Sequence, residues 1–136
     1  MKLRGGCVCS SIEFEVIFIP EMVFNCHCTR CQKSHGAAFA IQAFAIRNSL
    51  KFIRGRDNLK EYKSKGSIRT FCGNCGLILM NYATNNEDYL SIALSCVDTP
   101  HNLAPVANVC VSSKVDWCEL SNKIPQFAEL AANVTE

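Results

Sequence analysis

Gly6-Cys7-Val8-Cys9 near the start of the chain and Phe71-Cys72-Gly73-Asn74-Cys75-Gly76 past its midpoint decide how this sequence folds. Each stretch holds two thiols one or two residues apart, next to glycine. Thiols this close bridge each other poorly, but both can reach one tetrahedral ion. Gly5, Gly6, Gly73 and Gly76 permit backbone angles that turn amide groups toward sulfur. Zn²⁺ suits four sulfurs because it has no electronic preference against the tetrahedron. The two halves lie 63 positions apart, counted from Cys9 to Cys72. One ion would therefore close a long loop, at an entropy cost that grows only slowly with length and that ligation offsets in the folded state. The expectation is a structural zinc on Cys7, Cys9, Cys72 and Cys75; the plainer alternative is four buried cysteines with no ion.

A second group, Cys26-His27-Cys28-Thr29-Arg30-Cys31, packs three thiols into six residues. Three protein ligands with one position open is the pattern of a catalytic zinc, whose shell is completed by water or substrate. His27 has the chemistry of a fourth ligand. Between two ligating neighbours, however, its ring is directed away from a shared ion and reads as a hydrogen-bonding group beside the site. His35, four residues beyond Cys31, is a further ligand candidate. Four thiolates around Zn²⁺ leave a charge of −2 and a closed shell, whereas three leave −1 and room for a thiolate or water. Arg30 and Lys33 could offset that charge or attract an anionic substrate, or could be solvated. Thr29 and Ser34 are candidate donors to sulfur.

Cysteine is the unusual number in the composition, 10 of 136 residues, and in a reducing compartment that count points to metal or catalysis rather than disulfides. Cys96, Cys110 and Cys118 stand alone. About half of the residues (49%) are apolar and 19% charged, which excludes a disordered chain. Fourteen basic and 12 acidic side chains are mixed along the sequence, with no basic block, so no nucleic-acid or membrane partner is indicated. Basic residues interleaved with aromatics, the pattern that accompanies RNA-binding zinc domains, are missing. No apolar run is long enough to span lipid, and the first residues carry no secretory signal, so a cytoplasmic location is expected.

The rest of the chain reads as short strands. In 12–18, Ile12, Phe14, Val16 and Phe18 share one face while Glu13 and Glu15 face away, and Pro20 is expected to end the strand. Residues 37–46 are apolar except for Gln42 and read as a buried strand. Further strands are expected at 50–53, 58–63, 68–71, 77–82, 89–94 and 106–111, with a last one carrying Val115 and Trp117. Residues 63–67 read as a turn, 83–88 as a loop and 100–105 as a linker. Helix is scarce; its best candidate is 126–132, behind Pro125. The whole reads as a single domain over 1–136, mainly β and mainly antiparallel.

Three ordered motifs carry a family resemblance: Gly6-Cys7-Val8-Cys9, then 25–36 (NCHCTRCQKSHG), then Phe71-Cys72-Gly73-Asn74-Cys75-Gly76. Phe39, Trp117 and Pro125-Gln126-Phe127 fit its outer landmarks. With these the chain resembles the glutathione-dependent formaldehyde-activating enzymes, a family that includes centromere-protein-V-like domains, over about residues 3–127. The resemblance implies an Mss4-like fold of small antiparallel sheets around a structural zinc on Cys7, Cys9, Cys72 and Cys75. It also implies a second, labile zinc on Cys26, Cys28 and Cys31, whose thiolates are ligands and not nucleophiles. The implied activity is that of a carbon–sulfur lyase acting on a thiol–aldehyde adduct such as S-hydroxymethylglutathione, with glutathione as the small-molecule partner. Arg30, His27 and Thr29 are the substrate-binding candidates. Ser10 stands where the family usually has glycine after Cys-x-Cys, and Asn108 where many relatives carry histidine. The alternative function is a non-catalytic, zinc-containing protein-interaction module.

Overall fold

The structure is a computed structural model and describes residues 1–130. Among the described residues it is mainly β, with nine strands and one short α-helix. β1 (Lys2–Gly6) and β2 (Glu13–Cys26) form an antiparallel hairpin whose connection carries Cys7 and Cys9. The alternation expected at 12–18 holds: Ile12, Phe14, Val16 and Phe18 are buried to 1% exposure or less.

Pro20 does not end that strand. β2 runs on to Cys26, because the pairing with β3 (Ala40–Ile46) shifts register between Phe18 and Val23. Proline lacks the N–H a regular ladder requires, and an irregular stretch between ladder segments tolerates it. The first half of β2 pairs with β1 and with β4 (Lys51–Arg54), and its second half with β3 and β9 (Ala107–Val109). One long strand thus links the neighbourhoods of both cysteine groups.

The path of the sheet continues from β3 to β8 (Tyr89–Ala93), β7 (Ile78–Ala83), β6 (Ser67–Cys72) and β5 (Leu59–Ser64). These pairs are antiparallel, whereas β9 runs parallel to β2. The 106–111 strand is shortened to three residues because Cys110 adopts φ +58°, outside the extended region. Leu3, Phe14, Val16, Leu79, Met80 and Ile92 belong to the main apolar core, which Cys7 and Cys72 enter from the side.

Two further expectations fail. The α-helix lies at Thr29–His35 (α1), inside the second cysteine group, and described residues 126–130 are not helical; 131 and 132 lie outside the described residues. Gln126 instead bridges Asn108, with Asn108 N–H bonded to the Pro125 carbonyl at 2.9 Å. No strand forms around Val115 and Trp117, and the Trp117 side chain is 76% exposed. A segment that docks through a few backbone bonds carries little periodic signal for a strand or a helix.

Candidate metal centres

The ends of the strands deliver the thiols. β1 stops one residue before Cys7, β6 ends on Cys72, and β2 ends on Cys26. In the first group the Sγ atoms of Cys7, Cys9, Cys72 and Cys75 all lie within 4.8 Å of one another, and all four are free thiols. Cys7 and Cys9 are 3.5 Å apart, and Cys9 and Cys72 are 3.7 Å apart. Four sulfurs at the ordinary zinc–sulfur distance form a tetrahedron with edges of about 3.8 Å, so this group is already spaced for one ion.

Two tight turns hold it. The first is closed by Ser10 N–H on the Cys7 carbonyl (3.1 Å) and Cys7 N–H on that of Ile12 (3.2 Å). It leaves Ser10 at φ +66°, a left-handed conformation that glycine adopts without the Cβ penalty. That accounts for glycine being usual at this place in the resembling family. The second turn is closed by Gly76 N–H on the Cys72 carbonyl at 2.8 Å, with Gly76 at φ +77°. Backbone N–H groups point at the sulfurs: Ile12 at Cys7 (3.3 Å), and Asn74 and Cys75 at Cys72 (3.4 Å each). The hydroxyl oxygen of Ser11 lies 3.1 Å from Cys9 Sγ, 3.3 Å from Cys72 Sγ and 3.6 Å from Cys7 Sγ. Ser11, with Asn74 next, pulls the exposed Cys9 thiol down to about 5. Sequence reading missed Ser11; its only signal was a hydroxyl two positions beyond the Cys-x-Cys pair.

In the second group the Sγ atoms of Cys26, Cys28 and Cys31 also lie within 4.8 Å of one another. Cys28 caps α1: its sulfur accepts the N–H of Cys31 at 3.3 Å, the part usually taken by serine or aspartate. Gly36 ends the helix at φ +59° with its N–H on the Gln32 carbonyl. The Gln32 amide donates to the carbonyls of His27 (2.7 Å) and Ser113 (2.9 Å), tying the helix to both flanking segments. Cys26 and Cys31 are buried and Cys28 is partly open. The neighbouring thiols of Cys26 and Cys31 hold Cys28 down to about 2, with Arg69 adding to the effect.

The structure keeps His27 out of this ligand set. Its ring is fully buried, 3.0 Å from Asn108 Oδ1 through Nε2, and packed on Phe39 at a centroid distance of 4.9 Å. Asn108 also accepts from Asn25 Nδ2 at 3.2 Å, so it ties β9 to the end of β2. Arg30 is exposed, and its guanidinium donates to the Lys65 carbonyl (3.2 Å) and the hydroxyls of Ser67 (3.3 Å) and Ser64 (3.5 Å). Thr29 and Lys33 are exposed and Ser34 is half-buried.

The polar side chains that reach Cys31 come from the sheet. Gln42 Nε2 lies 3.9 Å from its sulfur and Arg69 Nη2 lies 3.8 Å away. Gln42 Nε2 is also 3.3 Å from His35 Nε2. Burial, with the Arg69 charge beside it, holds His35 below its ordinary value. Gln42 had shown itself as the one polar residue in an apolar run; Arg69 had no such signal. Cys96, by contrast, is pushed up to about 12 by burial and is an unreactive thiol of the core.

The sequence matches the family model of the glutathione-dependent formaldehyde-activating enzyme over residues 2–113. The chain belongs to this family. A Fusarium vanettenii relative named for the same enzyme is 28% identical over 99% of this chain, and one from Phaeosphaeria nodorum is 26% identical over 98%. This chain spans about 64% of the length of each. A crystal structure of a Rhodobacter sphaeroides protein shares the fold, with a TM-score of 0.64 at 20% identity, covering 91% of this chain and 99% of that one. The mainly β architecture with little helix agrees with the expected Mss4-like sheet fold. No helix among the described residues is long and apolar enough to cross a membrane.

Proposed function

We propose that this chain is a zinc-dependent enzyme that forms and breaks the carbon–sulfur bond between a small thiol and an aldehyde, with glutathione and formaldehyde as the pair. The observation that carries the reading is the second cysteine group: three converging sulfurs in a family member, with no fourth Cys, His, Asp or Glu joining them among the described residues. The donor set suits zinc, since thiolates are its preferred structural ligands and three of them leave a position for a fourth. Cys7, Cys9, Cys72 and Cys75 would hold a closed, structural ion.

In the reaction, the sulfur lone pair of the thiolate forms a bond to the carbonyl carbon, and the C=O π pair moves onto oxygen, which takes a proton. The product is the S-hydroxymethyl thioether; the reverse step returns thiol and aldehyde, and nothing is oxidised. Cys26, Cys28 and Cys31 would hold a zinc ion without being consumed, and its Lewis acidity would favour the deprotonated form of a substrate thiol at neutral pH. The capped turn of α1 fixes Cys28 and Cys31 relative to each other, and Cys28 is the partly exposed thiol of the three. Arg30 and Thr29, exposed on that first turn, would supply the contacts to a substrate carboxylate, while buried His27 bonds Asn108 of β9.

Exchange between free glutathione and S-hydroxymethylglutathione, followed by NMR magnetisation transfer, tests the proposal. The zinc-loaded protein accelerates exchange above the uncatalysed rate, and Cys28→Ser abolishes the acceleration. Exchange no faster than without protein would overturn the enzymatic reading and favour the interaction module.

A further inference from the structure

The two cysteine groups are surrounded by different charges. Around the first, the groups pointing at sulfur are neutral: the Ser11 hydroxyl and the amides of Ile12, Asn74 and Cys75. That group also opens to water at Cys9, which screens residual charge. Around the second stands a cation, Arg69 on β6, only 6% exposed, with Nη2 3.8 Å from Cys31 Sγ. A guanidinium keeps its proton in proteins, and burying it is unfavourable unless an anion faces it.

Its placement is set by the sheet. Gln42 on β3, Ser91 on β8, Asn81 on β7 and Arg69 on β6 form a buried polar row on one face, since Asn81 pairs with both Ser91 and Arg69 and the Ser91 partner Phe44 is two residues from Gln42. Asn81 Nδ2 donates to Ser91 Oγ at 3.3 Å. From the two ends of this row Gln42 and Arg69 converge on the one sulfur.

We propose that Arg69 is a positioning residue that neutralises the second thiolate centre and so selects an anionic sulfur over a neutral ligand at its open position. This rests on the reading that Cys26, Cys28 and Cys31 hold a divalent ion. Such an ion with three thiolates carries one net negative charge, which Arg69 cancels. An arriving thiolate then leaves a single negative charge in the buried site, where without Arg69 it would leave two.

The test uses the full chain loaded with Co²⁺, whose visible bands report ligation at the second group. Glutathione at a pH where it binds as thiolate, and imidazole as a neutral ligand, are titrated separately. Arg69→Gln keeps an N–H donor without the charge, Arg69→Met removes both, and Arg69→Lys keeps the charge. The proposal expects both neutral variants to lose on the order of tenfold in glutathione affinity, with imidazole affinity unchanged and most of the glutathione affinity restored in Arg69→Lys. Unchanged glutathione binding in the neutral variants, or an equal loss for both ligands, overturns the role of Arg69 alone. If one neutral variant does not fold, the other and Arg69→Lys decide. Wild-type protein that takes up no Co²⁺ at the second group overturns the metal reading, and the Arg69 proposal with it.

Discussion

Cys7, Cys9, Cys72 and Cys75 meet across 63 residues of chain, whereas Cys26, Cys28 and Cys31 lie within six and are shaped by one helical turn. The first group joins the β1–β2 connection to the end of β6, two parts of the fold with no strand pairing between them. The second arranges sulfurs that the chain already holds close. Loop-closure entropy alone separates them by about 2 kcal/mol, taking 63 against roughly five residues. An ion in the first group therefore stabilises tertiary structure, and an ion in the second leaves it largely unchanged. The same residue type would serve two ends because both the topology and the number of converging thiols differ.

The largest expected effect is at the first group. Cys72→Ser removes a buried thiol from the long-range set, and because ligation there would be part of the folding free energy the variant should lose its cooperative thermal transition or aggregate. Thermal melts with and without added zinc measure this; an unchanged melt and metal content would break the comparison. Next comes Gly55→Ala. Gly55 has φ +81°, and a Cβ there would run into the backbone of Ser11, while the neighbouring Arg54 Nε holds the Ser10 carbonyl at 2.9 Å. The substitution should cost about 2–4 kcal/mol in denaturant unfolding and weaken metal retention at the first group only.

Cys28→Ser tests the other side. It should fold, with near-native circular dichroism and the α1 cap kept by serine, a preferred N-cap residue, and one zinc fewer per chain by elemental analysis. Loss of the fold would make the second group structural as well. The smallest effect is at Ser10, which bears the left-handed strain of the first turn: Ser10→Gly should stabilise by about 1 kcal/mol, read from the denaturation midpoint, without changing metal stoichiometry.

Much of this contrast was legible in the sequence because thiol spacing and the two-residue period of strands are local properties. Ile12, Phe14, Val16 and Phe18 announced their strand, and the three cysteine motifs announced which sulfurs would meet. α1 was hidden because its cap is a cysteine, read as a ligand and not as the start of a helix. Pro20 misled because tolerance for it depends on a register shift made by a partner strand. Arg69 was invisible and Ser11 barely marked for the same reason: their roles exist only after β6 and the β1–β2 connection are brought to the sulfurs. Only pairing register and tertiary placement could disclose them.

Stepwise chelation tests the central claim most directly. Zinc-loaded protein is titrated with a chelator while released zinc, residual bound zinc and far-ultraviolet circular dichroism are recorded together. The account predicts two zinc ions per chain, the first leaving with the spectrum of the folded protein intact and the second leaving only as the fold is lost. One ion per chain, or two that leave together whether the fold survives or collapses, would contradict it.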